Sequence, residues 1–246
     1  MLVRELHPRV AAAVDGVDVR SLDDDATAAI EAALAEHPVL VFRAQRLEPG
    51  ELAAFAQRLG PPELFPPAVA HPSSEMVTVI SNRSGPGRGA PPYWHSDGLL
   101  RAEPPLRTVF YAETVPPSGG ETLFSSTEAA YEALDEQSRT QLDELVLVLP
   151  GDVRHPLVRE HPRTGRRALC VNAGATLGIV GVTRESAARL LEELVAHVSR
   201  PETVYRHRYE QGDLLVWDNV AAAHSATEAV DPALERVMLR CDVNAA

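Results

Sequence analysis

PYWHSDGLL, residues 92–100, sets His95 and Asp97 two positions apart, directly after Tyr93 and Trp94. On an extended strand, alternate side chains face the same side, so an imidazole and a carboxylate would share one face. Two readings fit. One is a strand edge with a solvated carboxylate, the other a pair of metal ligands. The spacing favours neither, so the rest of the chain has to decide.

A third donor stands near the other end. GDLLVWDNVAAAHSA, residues 212–226, reads as a strand that runs into a turn and delivers His224, 129 residues after His95. That separation is unlike a zinc finger, whose ligands sit close in sequence. It is natural in a jelly roll, where distant strands become neighbours. His95, Asp97 and His224 together make the two-His, one-carboxylate face of non-haem Fe(II) oxygenases. Such a face occupies three coordination positions and leaves three for a co-substrate and oxygen.

Two further segments supply complementary groups. GGETLF, residues 119–124, places Thr122 25 residues after Asp97. ERVMLRC, residues 235–241, places Arg236 12 residues after His224 and Arg240 four beyond that. Even spacing on one strand puts both guanidiniums on the same face. Arginine grips planar carboxylates through two parallel hydrogen bonds. Two inward arginines repel unless anions neutralise them, and a 2-oxo acid with an anionic substrate would do so.

The surrounding chain reads as many short strands with a few helices. Helices are expected over DDDATAAIEAALAEH, EPGELAAFAQRLG, SSTEAAYEALDEQSRTQL and TRESAARLLEELVAHVSR, and strands over PVLVF, MVTVIS, LRTVFYAETV, LVLVLP, TVYRHRYE, DLLVWDN and ERVMLRCDV. The chain therefore opens α-β-α, and a hairpin turning at Thr164 and Gly165 follows later. Helices do not follow each strand in turn, and no Gly-rich nucleotide fingerprint occurs. The expected fold is a mainly β core with flanking helices (α+β), a jelly roll or similar barrel, in one domain over residues 1–246. The segment NRSGPGRGAPP, residues 82–92, breaks regular structure beside the motif and is a lid candidate.

Composition narrows the partners. A net charge of −12 disfavours nucleic acid and anionic membranes. No run reaches the length of a spanning helix, and the start lacks a signal-peptide core, so a cytoplasmic protein is expected. Cys170 and Cys241 are expected as buried free thiols. Asp213 and Asp218 read as turn residues, Trp217 as core, Trp94 as packing behind the metal, and His155, His161 and His207 as structural or surface groups. RTGRR, residues 163–167, reads as a solvated hairpin turn.

The ordered set of segments resembles the TauD/TfdA family of Fe(II)- and 2-oxoglutarate-dependent dioxygenases. It runs from VDGVDVRSLDD and HPVLVFR through WHSDGLL, PPSGGETLF, HPRTGRRALCVN and GDLLVWDNVAAAHSA to RVMLR. The resemblance implies a double-stranded β-helix (cupin-like) and places His95, Asp97 and His224 on iron. It implies that Thr122 and Arg236 hold the far carboxylate of 2-oxoglutarate, whose keto end chelates the metal, and that Arg240 meets a carboxylate or sulfonate on the substrate. Asn82 and Tyr93 are further candidates for the substrate pocket, with a backbone-supporting role as the alternative for Asn82. The expected reaction consumes O2 and 2-oxoglutarate, yields succinate and CO2, and hydroxylates an unactivated C–H of a small anionic molecule. The early substrate loop lacks the His and Tyr of the taurine type, and Pro91 replaces an asparagine, so taurine is not the expected substrate. Desaturation or cyclisation on the same iron core, or a non-catalytic module that binds a metal or small acid, are the alternatives. The family favours dimers or larger assemblies, which makes a homo-oligomer compatible with the chain.

Overall fold

Alternation along the strand Leu214–Asp218 shows how the layers are built. Leu214 and Val216 enter a core beneath two helices, whereas Leu215 and Trp217 enter a core between two sheets. A strand buried on both faces must be apolar on both parities, and LLVW is. In this computed structural model, which describes residues 1–83, 91–227 and 230–245, that strand lies at the middle of an eight-stranded sheet. The order across the sheet is Leu2–His7, Ala11–Asp15, Val39–Phe42, Leu214–Asp218, Arg107–Thr114, Val237–Val243, Ser74–Ser81 and Ala70–His71. Ala11–Asp15 and Val39–Phe42 pair in parallel, and the helix Asp24–Glu36 makes the crossover between them.

The helices form where their ends are satisfied. The Asp23 carboxylate accepts a hydrogen bond from the Ala26 amide at 2.7 Å, and Asp24 and Asp25 follow in the first turn of Asp24–Glu36. Pro49 opens Pro49–Leu59, and the Glu51 side chain reaches back to the Glu48 amide at 2.9 Å. Ile30, Leu34, Leu52, Phe55 and Leu59 then pack on the outer face of the large sheet. The opposite face meets a smaller sheet of Val204–His207, Thr122–Ser126 and Ala222–Ala226. Phe110, Leu215, Trp217 and Met238 from one side interdigitate with Phe124, Ala222 and Tyr209 from the other. The two facing sheets form the expected jelly roll. A third apolar layer, where Arg184–Val198 buries Leu194 and Val198, closes the back of the small sheet.

Several local expectations are corrected. The chain does not open on a helix: Leu2–His7 and Ala11–Asp15 form a hairpin first. The single helix expected over residues 125–142 is two, Thr127–Glu132 and Glu136–Asp143, because the Asp135 carboxylate caps the second by accepting from the Ser138 amide at 2.7 Å. RTGRR does turn a hairpin, between Val158–Glu160 and Arg167–Leu169, but its arginines are paired rather than merely solvated. Arg163 pairs with Glu31, Arg166 with Glu128, and Arg167 with Asp143. Both cysteines are free and buried, as expected. In the 82–92 lid candidate, residues 84–90 lie outside the described residues. Among the described residues no helix is long and apolar enough to cross a membrane.

His155, His161 and His207 are all buried and structural. His207 Nε2 donates to Asp213 Oδ2 at 3.1 Å, and its Nδ1 accepts from the Tyr205 hydroxyl at 3.0 Å. Burial pushes the His207 and His155 imidazoles below their ordinary pKa. Burial opposes ionisation of Asp213 too, but His207, the Glu210 amide and Arg43 outweigh it and hold its carboxyl below the usual range. For all three groups the folded state binds protons less readily than the unfolded chain. The contribution of the two histidines is therefore complete above their unfolded value near ~6.5 and is lost as pH falls below it, whereas that of Asp213 is lost only below the unfolded aspartate value near ~3.9. Thermal melts should show Tm falling between about pH 7 and pH 5, with a smaller fall in His207→Gln. An equal fall in that variant would remove His207 as a source.

Candidate metal centre

The segment carrying His95 is held between two others by backbone pairing. His95 and His224 exchange both amide-to-carbonyl bonds, at 2.9 and 2.8 Å, as a directly opposed antiparallel pair. On the other side the Ser96 amide donates to Val171 O at 3.0 Å, and the Ala173 amide to Trp94 O at 2.9 Å. The Ser96 hydroxyl adds a bond to Ala222 O at 2.9 Å. His95 and His224 are thereby brought side by side, with ring centroids 4.3 Å apart. Asp97 completes the group two residues on. Gly98, at φ 73°, turns the chain immediately after it, and a Cβ there would meet Pro105 Cδ at 2.3 Å.

One donor atom from each of His95, Asp97 and His224 lies within 4.8 Å of the others, and all three residues are buried. His95 Nε2 is 3.9 Å from Asp97 Oδ1, and His224 Nε2 is 3.8 Å from Asp97 Oδ2. The Tyr93 carbonyl can only accept, so the 2.9 Å contact with His95 Nδ1 puts the proton on Nδ1 and leaves the Nε2 lone pair for a metal. Burial, and then His95 and Arg240 against the favourable pull of Asp97, lowers the His224 pKa to about 3, which keeps that ring neutral as ligation requires. His224 Nδ1 has no hydrogen-bond partner among the described residues; its ring is held by Phe124, Trp217 and His95. Burial works against the Asp97 carboxylate, but Arg240 first, then His224 and His95, hold it well below the usual range. A neutral imidazole pair and an ionised carboxylate are the donor set that ferrous iron needs.

Two side chains that the sequence reading did not place at the site orient Asp97. Trp217 Nε1 donates to Asp97 Oδ2 at 3.2 Å, and the Thr108 hydroxyl donates to the same oxygen at 3.1 Å. Trp217 is core, as expected, yet its indole N–H carries a polar role. Trp94 packs into the layer behind the site, as expected. Tyr93 is 36% exposed, its ring lies 5.4 Å from that of His95, and a Cβ on Gly174 would strike that ring at 2.3 Å.

The arginines differ from each other. Arg236 is buried, with its guanidinium 5.4 Å from the Tyr209 ring centre and 5.9 Å from that of Phe110. Among the described residues it has no carboxylate partner, and burial pulls its pKa down. Phe110 touches Trp217, and Trp217 touches His224, so one aromatic wall joins Arg236 to the triad. Thr122 is buried, and its hydroxyl is 3.0 Å from that of Tyr209. A buried cation with no counter-charge among the described residues, beside a hydroxyl, suits the far carboxylate of a 2-oxo acid. Arg240 is instead engaged: Nη1 donates to Asp97 Oδ1 at 3.1 Å, and Nε and Nη2 donate to Asp242 at 2.8 and 3.1 Å. Asn82, a pocket candidate with a backbone-supporting role as its alternative, is bonded to backbone. Its Oδ1 accepts from the Arg236 amide at 3.0 Å and its Nδ2 donates to Leu234 O at 2.8 Å, so it positions the arginine strand.

A facing pair of sheets with two imidazoles and a carboxylate converging at a buried point defines a non-haem iron oxygenase. The chain belongs to the family described as taurine catabolism dioxygenase TauD, TfdA family, which it matches over residues 2–241. It is 32% identical to the alpha-ketoglutarate-dependent 2,4-dichlorophenoxyacetate dioxygenase of Cupriavidus pinatubonensis, over 91% of each chain. It is 31% identical to the alpha-ketoglutarate-dependent sulfate ester dioxygenase of Pseudomonas putida, over 91% of this chain and 84% of that one. A crystal structure of a taurine dioxygenase from Burkholderia xenovorans superposes with a TM-score of 0.89 at 35% identity, covering 98% of this chain and 88% of that one. The protein is a 2-oxoglutarate-dependent non-haem iron dioxygenase that uses Fe(II), 2-oxoglutarate and O2.

Trp217→Phe keeps most of the ring volume but removes the donor to Asp97. Loss of such a supporting bond to a ligand should weaken Fe(II) affinity about 10–100-fold in anaerobic titrations, with the fold intact by circular dichroism. Unchanged affinity would show that Thr108 and Arg240 suffice to orient the carboxylate.

Proposed function

We propose that this chain hydroxylates an unactivated C–H bond of a small molecule, with succinate and CO2 as co-products. His95, Asp97 and His224 hold the ferrous ion, through Nε2 of each imidazole and the Asp97 carboxylate. Arg236 and Thr122 take the far carboxylate of 2-oxoglutarate. The bound iron with its co-substrate supplies activation of dioxygen. The chain's own groups do the positioning. Trp217 and Thr108 fix the angle of Asp97. Tyr93, through its carbonyl, fixes the tautomer and plane of His95. Tyr209 shares its hydroxyl with Thr122, and its face with Arg236, so the co-substrate end of the site is preorganised. Asn82 anchors the backbone from which Arg236 projects.

The observation that carries this reading is the buried convergence of the His95, Asp97 and His224 donors in a chain of this family. The presence of Asp97 favours oxygen insertion over halogenation, because the carboxylate fills the position a halide would need. The relatives named above act on 2,4-dichlorophenoxyacetate and on sulfate esters, which fits the expectation of an anionic substrate. Arg240, the side chain on which that expectation rests, argues otherwise, since its fork already holds Asp242.

Asp97→Ala should abolish Fe(II)-dependent formation of succinate from 2-oxoglutarate, measured with oxygen uptake. Turnover at the wild-type rate would defeat the ligand assignment. Arg236→Ala removes a charge-assisted contact worth about 1.5–3 kcal/mol, so the apparent KM for 2-oxoglutarate should rise on the order of 10–100-fold. An unchanged KM would move the carboxylate site elsewhere.

A further inference from the structure

We propose that Asp242 is a built-in carboxylate for Arg240, and that the substrate is therefore uncharged where it meets Arg240. The inference rests on the dioxygenase reading and specifies its substrate class. Arg236, Met238, Arg240 and Asp242 fall on one parity of the strand Val237–Val243 and its entry. Met238 lies in the core between the sheets, whereas Leu239, Cys241 and Val243 lie under the helices, which fixes the direction of each parity. The inward face thus presents two cations and one anion, besides Asp97 of the triad.

The bonding between them is specific. Arg240 donates from Nε to Asp242 Oδ1 at 2.8 Å and from Nη2 to Asp242 Oδ2 at 3.1 Å. That is the parallel two-bond grip an arginine would otherwise offer a substrate carboxylate or sulfonate. Asp242 is 3% exposed, and its Oδ1 lies 3.2 Å from the Thr108 hydroxyl, whose single proton it shares with Asp97 Oδ2. The remaining terminal nitrogen, Nη1, faces Asp97 Oδ1 at 3.1 Å. A substrate anion could take the two-bond Nε–Nη2 edge only by displacing Asp242; otherwise it would meet only the single N–H groups left on Nη1 and Nη2. Arg101 Nη2 also lies 3.7 Å from Asp242 Oδ2, so two guanidiniums offset the cost of burying that carboxylate and hold it where it is. Asp242 is thus a specificity-determining residue. It accepts from Arg240 and excludes the anions that a free fork would admit.

The test uses the full chain loaded anaerobically with Fe(II) and saturating 2-oxoglutarate, so that Arg236 is occupied. Methanesulfonate and acetate are titrated by calorimetry beside their neutral counterparts, dimethyl sulfone and acetamide. Wild type should show no saturable binding of either anion. Asp242→Asn, which frees the fork and keeps the volume, should bind methanesulfonate at least tenfold more tightly than wild type. Two results overturn the proposal. One is saturable anion binding to wild type that Arg240→Gln abolishes; this arm does not depend on Asp242→Asn folding. The other is a folded Asp242→Asn that gains no anion affinity. Substrate-free succinate formation from Fe(II), O2 and 2-oxoglutarate is measured on the same wild-type sample. Its presence keeps the dioxygenase reading intact whichever way the anions behave, and its absence strikes that reading alone.

Discussion

Two backbone hydrogen bonds exchanged between His95 and His224 are the constraint on which the site depends. Directly opposed residues of an antiparallel pair project to the same face with their side chains in contact range. That is how residues separated by most of the chain become neighbours. The register has no tolerance. A slip of one residue would turn Ser96 or Ser225 inward and carry an imidazole to the opposite face. Bonds from Ser96 to Val171 and Ala222 hold the segment from both sides, and Gly98 turns it away once Asp97 is in place. The jelly roll matters here chiefly because it brings an early segment and a late strand into one ladder.

What could be read from the sequence follows from that geometry. Side-chain parity is a local property, so His95 with Asp97, and Arg236 with Arg240, were legible as pairs sharing a face. The third ligand was legible only through chemistry, because a lone His after DLLVWDN has no other use as specific as completing that set. Asp242 has the same parity as Arg240 and stands two residues beyond it. The anion at the end of that row changes the meaning of the cations before it. Trp217 was read as core, which its ring is. Parity assigns it to the inward face, but it does not say that the indole N–H ends on Asp97. For Asn82 the sequence leaves a pocket role and a backbone-supporting role open, and its amide binds backbone. The first hairpin escaped notice for a different reason. Leu2–His7 is largely exposed and carries no buried alternation, so only its ladder to Ala11–Asp15 defines it.

Electrostatics ties the two halves of the site together. Asp97 must stay ionised in a buried position, where desolvation alone would protonate it. Arg240 is the largest influence that prevents this, ahead of both histidines. The same cation is a hazard, because a guanidinium free to turn its full fork on Asp97 would compete with the metal for the carboxylate. Asp242 resolves the conflict. It takes the Nε–Nη2 edge of Arg240, leaves Nη1 for Asp97, and shares the one Thr108 hydroxyl proton with Asp97. Asp97 is then charged by a neighbour that cannot capture it. Its second oxygen, shared by Trp217 and Thr108, sets the direction from which it meets the two imidazoles. In this arrangement the residue that restricts what Arg240 can bind is also the one that leaves Asp97 available to iron.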